Sequence, residues 1–317
     1  MKRFAVGAAL TTVFLPLLLL CAASVRFRHA PYHPPAEAES TAAKGRLRLT
    51  YRGISGYELT DGKTVVLLDP TVTRPTVWDL FSRRLRPDEA LSGRVFPRAD
   101  FILVNHAHYD HAADVPAIAL RTGATVVGSQ SACNLALSRG VPPGRVRLAV
   151  PGERLTLGTF TVDVRASRHI DLLGMKGLMA GTIAPTAGPL WFWQYVQDAA
   201  LAYRLEAAGA SVWFHPTSTF KRSELGDLPA GTLIMGVNGE ELTAERMRLV
   251  FAEARPRLIL PTHYDNLFQP LEKGLALMPG LDLEAARRAA QAAGADVPWR
   301  VLDYGQTVEL PAARPER

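Results

Sequence analysis

The stretch Phe101 to Ala113, FILVNHAHYDHAA, constrains what this chain can become more than any other. Phe101-Ile102-Leu103-Val104 is a short apolar run bounded by polar residues, which is the pattern of a buried strand and too brief for a helix. It ends in His106, His108, Asp110 and His111. A solvated polar turn would account for one such side chain but not for four within six residues. Side chains alternate along an extended backbone, so a His-x-His pair places two imidazoles on the same side, where both nitrogens can converge on one ion. As the chain turns toward a helix, Asp110 and His111 point elsewhere. They are placed to serve a second ion, at the roughly 3.5–4 Å separation of two-metal hydrolytic sites.

The hexapeptide His106-Ala107-His108-Tyr109-Asp110-His111 resembles the HxHxDH signature of the metallo-β-lactamase-fold metal-dependent hydrolases, and the resemblance runs from about Arg46 to Leu310. It implies an α/β fold, an αββα sandwich of two mixed β-sheets flanked by helices. Two later stretches are similar to further motifs of that family. His169 lies just past a hairpin read over Leu155 to Ala166, and Pro261-Thr262-His263-Tyr264-Asp265 ends another strand. The second has the P-x-H-Y-D form of the lactonase-like and N-acylphosphatidylethanolamine phospholipase D-like branch. The resemblance implies that His106, His108 and His169 hold one metal and that Asp110, His111 and His263 hold the other. Asp110 would also steer the attacking water, and Asp265 would orient an imidazole without binding metal directly.

At one place the chain departs from that family. Relatives end a strand in Gly-Asp-Thr, whose Asp bridges both metals, whereas this chain has His215-Pro216-Thr217-Ser218, with Thr217 about where the Asp belongs. A neutral hydroxyl does not bridge two cations as a carboxylate does. His215 or Asp171 stand as substitute ligands, and one metal is expected to bind more weakly.

Neutral imidazoles with one carboxylate suit Zn²⁺, one ion or two, with Mn²⁺ and Fe²⁺ compatible on ligand type. The expected activity is hydrolysis by a hydroxide generated on the metal, acting on an ester, lactone or phosphodiester, with a small molecule or a lipid as substrate. A metal-binding or scaffolding protein that kept the fold and lost turnover with the bridging Asp is the alternative. Asp171 to Gln197 is an apolar, Gly-rich insertion carrying Trp191, Phe192, Trp193 and Tyr195. It reads either as aromatic core under a long loop or as a substrate-pocket wall of Trp191, Trp193 and Tyr195 that could also face a membrane.

Composition sets the surroundings. The 317 residues are 48% hydrophobic and 21% charged, ordinary for a globular chain. Half of the net charge of +6 lies in residues 1–45, in Lys2, Arg3, Arg26, Arg28 and Lys44 against Glu37 and Glu39. The remainder is only mildly basic, so no nucleic-acid partner is expected, and the sequence sets no oligomeric state. After Lys2 and Arg3, residues Phe4 to Val25 are uncharged and mostly apolar, long enough to span a bilayer. Residues 1–25 are therefore read as a signal peptide or N-terminal membrane anchor, residues 26–45 as a flexible linker, and residues 46–317 as the catalytic domain. The protein would be exported and membrane-anchored, or periplasmic or extracellular. Cys21 and Cys133 make no disulfide framework, and Cys133 reads as a small buried hydrophobe on a helix.

Overall fold

The computed structural model describes residues 31–34, 45–169, 179–185, 188–217, 231–237, 242–293 and 296–310. Strands of the first half of the chain build one sheet. β1 (Arg48–Gly53), β2 (Gly56–Thr60) and β3 (Val65–Leu68) form an antiparallel meander. Its second turn is the Asp-Gly hairpin expected from sequence, with Asp61 Oδ1 accepting from the amides of Lys63 and Thr64, and Gly62 at φ 91°. β4 (Phe101–Leu103), β5 (Thr125–Gly128) and β6 (Val146–Leu148) extend the sheet in parallel.

The second sheet starts with β7 (Arg154–Leu157), β8 (Phe160–Ser167), β9 (Ala200–Ala207) and β10 (Ala210–His215), all antiparallel neighbours. It continues in parallel with β11 (Thr232–Gly236) and β12 (Leu258–Thr262). The last strand, β13 (Thr307–Glu309), returns to pair with β1. Among the described residues the orders are β13-β1-β2-β3-β4-β5-β6 and β12-β11-β10-β9-β8-β7. Both sheets are mixed, as expected.

Burial sorts by the period of two. Val66 and Leu68 of β3, Leu103 of β4 and Val127 of β5 join the large core that also holds Val162, Leu205, Trp213 and Phe214 of the second sheet. Their neighbours Val65, Leu67, Ile102 and Val126 face a separate cluster with Leu91, Ile118 and Leu135 from helices. Helices thus cover the outer face of the first sheet, which explains why β3, β4 and β5 are apolar on both sides. Those helices are α1 (Val77–Ser82), α2 (Glu89–Val95), α3 (Tyr109–Ala112), α4 (Val115–Thr122) and α5 (Gln130–Ser138). α6 (Ala244–Ala254) and α7 (Leu283–Ala292) bury Met247, Val250, Leu283 and Ala286 in the large core. Side-chain caps from Thr76, Asp88, Ser129, Thr243 and Asp282 start five of these helices.

Before β13 the chain turns through Tyr304-Gly305. The segment Thr71 to Phe96 carries α1 and α2, whose Leu80 and Leu91 are buried. Within the linker read over 26–45, the described residues 31–34 are seated on the domain. The Tyr32 amide donates to Leu275 O at 2.8 Å, and the ring packs against the large core. Cys133 is buried on α5, as expected. No helix among the described residues is long and apolar enough to cross a membrane, and the run Phe4 to Val25 lies outside them.

Candidate metal centre

Three strand ends of the two sheets meet at one cavity. β4 delivers His106 and His108, and the chain turns at once into the single turn of α3, which carries Asp110 and His111. His169 follows β8 and His263 follows β12, both from the opposite sheet. The six side chains form two triads. The ligand atoms of His106, His108 and His169 lie within 4.8 Å of one another, and so do those of Asp110, His111 and His263.

Hydrogen bonds fix which nitrogens face inward. Asn105 Oδ1 accepts from His106 Nδ1 at 2.5 Å, leaving the lone pair on Nε2, which faces His108 Nδ1 at 3.1 Å. Asn105 is itself fixed, since its side-chain amide donates to Leu201 O on β9. On the other side Asp69 Oδ2 accepts from His111 Nδ1 at 2.7 Å, and Ser55 Oγ lies 2.9 Å from the same nitrogen. His111 Nε2 is thereby left to face Asp110 Oδ2 at 3.6 Å, with His263 Nε2 3.1 Å from that oxygen. A carboxylate on the far nitrogen of a ligating imidazole sets its tautomer and raises its basicity.

In the first triad the protonation states of His106 and His108 suit metal binding. Burial, helped by the neighbouring imidazoles, holds His106 well below its ordinary pKa and pushes His108 down to about 4. Both rings are therefore neutral at pH 7, with lone pairs available. Burial would raise the carboxyl of Asp110, but His111 and His263 outweigh it and keep that group ionised. Burial also acts to lower His111, yet Asp110 and Asp69 together raise its pKa. Among the described residues His108 Nε2 is buried without a hydrogen-bond partner, a defect that a cation in this donor set would repair. Five imidazoles and a carboxylate are borderline-soft ligands of the kind Zn²⁺ takes.

Three residues here hold left-handed backbone: Ile54 at φ 53°, Asp69 at φ 40° and His263 at φ 62°. For a β-branched residue such as Ile54 this is an outlier that persists only when its surroundings impose it. His263 N and Thr262 Oγ1 both donate to Ile54 O, at 2.8 and 2.9 Å, and Ile54 N donates to Asp265 Oδ1 at 2.8 Å. Ile54 thus links Asp265 to the placement of His263.

Asp265, expected to orient an imidazole, touches none. Its Oδ1 also accepts from Tyr51 Oη, and its Oδ2 accepts from Arg74 Nη2 at 2.7 Å and Tyr304 Oη at 2.8 Å. The imidazole-orienting carboxylate is Asp69, in the Asp69-Pro70 pair that closes β3. Asp69→Asn is expected to weaken metal binding about 10–100-fold, measured by competition with a chelator, and an unchanged affinity would contradict that role.

The cavity over the triads has a volume of about 420 Å³. Its upper wall is apolar, with Leu80, Phe81, Tyr109, Phe192, Leu267 and Phe268. Trp191, Trp193 and Tyr195, expected as the substrate wall, do not line it. The segment forms a 3-10 turn over Phe192–Gln194 that sends Phe192 inward. Trp193 turns outward, 44% exposed, and stacks on Trp191 with centroids 4.9 Å apart. Tyr195 is buried in the core beneath.

Thr217 lines the same cavity as the six ligand-type residues, which agrees with the strand register inferred for it. His215 belongs to neither triad. Its ring is fully buried beside its own strand end, with Nδ1 3.2 Å from Thr217 O and Nε2 3.3 Å from Ser167 Oγ. Asp171 lies outside the described residues.

Two mixed sheets with helices outside and strand-end ligands between them define a protein of the metallo-β-lactamase fold. The model of the Beta-lactamase superfamily domain matches residues 48–263. A UPF0173 metal-dependent hydrolase of Heliobacterium modesticaldum is 30% identical over 246 residues, covering 73% of this chain and 87% of that protein. One from Anaeromyxobacter dehalogenans is 24% identical over 236 residues, covering 72% and 78%. Among solved structures, a metallo hydrolase from Ignicoccus hospitalis superposes with a TM-score of 0.55 at 19% identity, over 83% of this chain and 97% of that one. The chain belongs to the β-lactamase superfamily, as a metal-dependent hydrolase akin to the UPF0173 proteins.

Proposed function

We propose that this hydrolase uses zinc to cleave an ester, lactone or phosphodiester bond in a substrate with an apolar part, a lipid included. His106, His108 and His169 would hold one ion, and Asp110, His111 and His263 the other. When bound, such ions polarise an acyl or phosphoryl oxygen and lower the pKa of water toward 7. The chain supplies the rest. Asp110, ionised at neutral pH, would orient the attacking water. His111 and His106 are locked by Asp69 and Asn105, so little reorganisation accompanies reaction. Phe81, Phe192, Leu267 and Phe268 exclude water above the ligands and give an apolar chain a surface to bury.

The observation that carries this reading is the set of apolar side chains lining the same cavity as the two ligand triads. Its test is hydrolysis by zinc-loaded protein of esters, lactones and phosphodiesters carrying short and long alkyl chains. Activity that needs metal and rises with chain length supports it. Stoichiometric metal with no turnover across the panel would favour the scaffold reading, which rests on Thr217.

Thr217 also bears on occupancy. Two Zn²⁺ among five His and one Asp leave a formal charge near +3, one more than with a bridging Asp, and repulsion between nearby cations is only partly screened. The native protein is expected to hold closer to one equivalent than two. Thr217→Asp is expected to raise occupancy toward two, read by elemental analysis after dialysis. Two tightly held ions in the native protein would show that another group supplies the missing ligand.

The domain is further proposed to be exported and held to the membrane by the run Phe4 to Val25. Fractionation that recovers a cytoplasmic protein with Met1 intact would contradict this.

A further inference from the structure

Of the six large apolar side chains that remain exposed among the described residues, the three aromatic ones belong to the segments that border the cavity. Trp78 and Phe81 on α1 are 53% and 51% exposed, and Trp193 is 44% exposed. They form one surface. Trp78 and Phe81 are three residues apart and share a helix face. Phe81 meets Phe192 edge to face at 5.0 Å, and Phe192 meets Trp193 at 5.3 Å. Phe81 and Phe192 line the cavity, while Trp78 and Trp193 stand outside it. The apolar interior is therefore continuous with an apolar exterior. Arg83, Arg84 and Arg86 are exposed directly beyond Phe81.

The N-terminal segment is seated on the stretch that carries Met278. Tyr32 is fixed to Leu275, three residues before Met278, which lines the cavity. From Val25, the end of the apolar run, to Tyr32 the chain can extend at most about 25 Å. An anchor in residues 4–25 would thus keep Tyr32, and the stretch it is seated on, within about 25 Å of the bilayer.

We propose that the rim formed by Trp78, Phe81 and Trp193 docks on a phospholipid bilayer, so that an apolar substrate passes from the membrane into the cavity without crossing water. This rests on reading the N-terminal run as an anchor and the substrate as partly apolar. Tryptophan suits the headgroup level because its ring is apolar at one end and a hydrogen-bond donor at the other. Arginines beside it meet lipid phosphates.

The test uses the full chain in phosphatidylcholine and phosphatidylglycerol vesicles, some with brominated acyl chains that quench nearby tryptophan. Quenching is expected in the native protein, and the double variant Trp78→Ser, Trp193→Ser should lose about half of it or more. Neither residue lines the cavity, so hydrolysis of a short soluble ester should change less than about twofold while hydrolysis of the same ester on a vesicle-embedded chain falls about fivefold or more. Equal quenching of native and variant protein overturns the proposal. So does a rim that pairs two copies of the chain, seen as a dimer that the variant converts to monomer. If neither ester is cleaved, the hydrolytic assignment fails while quenching still reports whether the rim docks.

Discussion

Alanine in place of His106 is expected to remove bound metal from the first triad and to lower kcat/KM about 10³-fold or more, roughly 4 kcal/mol of transition-state stabilisation. Changes to residues that merely orient a ligand typically cost 10–100-fold, and the loss of a ligand should exceed that. The fold should survive, because His106 sits at a strand end and not among the apolar side chains between the sheets. Elemental analysis and activity on one responsive ester give the two readings. Full metal content in the variant would remove His106 from the ligand set, whatever the activity. Asn105→Ala offers a milder comparison, since it frees the ring to rotate without deleting a donor.

Breaking the Arg74–Asp265 pair is expected to destabilise the protein by about 3–5 kcal/mol, the range for leaving one member of a buried ion pair uncompensated. The Arg74 side chain is 2% exposed and that of Asp265 0%. Arg74 also donates to Asn266 O at 3.1 Å, and the Asp265 carboxylate takes four donors in all. Asp265→Asn and Arg74→Met should each shift the urea midpoint strongly. The double variant should lose less than the sum, as contacting groups do, and simple additivity would show that the two act separately. Burial alone would raise Asp265, but Arg74 and the other donors more than reverse this and hold it below the usual carboxylate range. The unfolded chain then takes up the proton first. The contribution is therefore complete above the unfolded value of about 3.9 and is lost as pH falls through the folded one. Because Asp265 holds Ile54 and Ile54 holds His263, weaker metal binding in the second triad should accompany the loss of stability.

The ligands were legible in the sequence because each stands at the end of an apolar strand, where a histidine has no packing role. Spacing made His106, His108, Asp110 and His111 conspicuous, and position after a strand marked His169 and His263. What escaped depends on contacts between remote loops. Asp69 reads as the acid of an Asp-Pro strand terminator, and nothing local pairs it with His111, 42 positions away. Asp265 reads as part of a metal motif, but its partner Arg74 lies 191 positions earlier in an irregular basic segment. The aromatic insertion divides between core and surface, with Tyr195 in the core and neither tryptophan on the cavity, for a geometric reason. In a 3-10 turn the inward residue is chosen by which side chain the turn directs at the cavity, and Phe192 took that place over two larger tryptophans.

Each triad is divided between the two sheets, with His106, His108, Asp110 and His111 following β4 and His169 and His263 following β8 and β12. Such a ligand set exists only while the sheets are stacked, so an ion held there acts as a rivet through the molecule. Free metal at 1,000 times its dissociation constant would add about 4.1 kcal/mol to the unfolding free energy, a large fraction of the roughly 5–15 kcal/mol by which native proteins are stable. Metal scarcity in the protein's compartment would then do more than silence the enzyme. It would raise the unfolded fraction exposed to proteases, and the amount of protein that persists would follow the supply of the ion it uses.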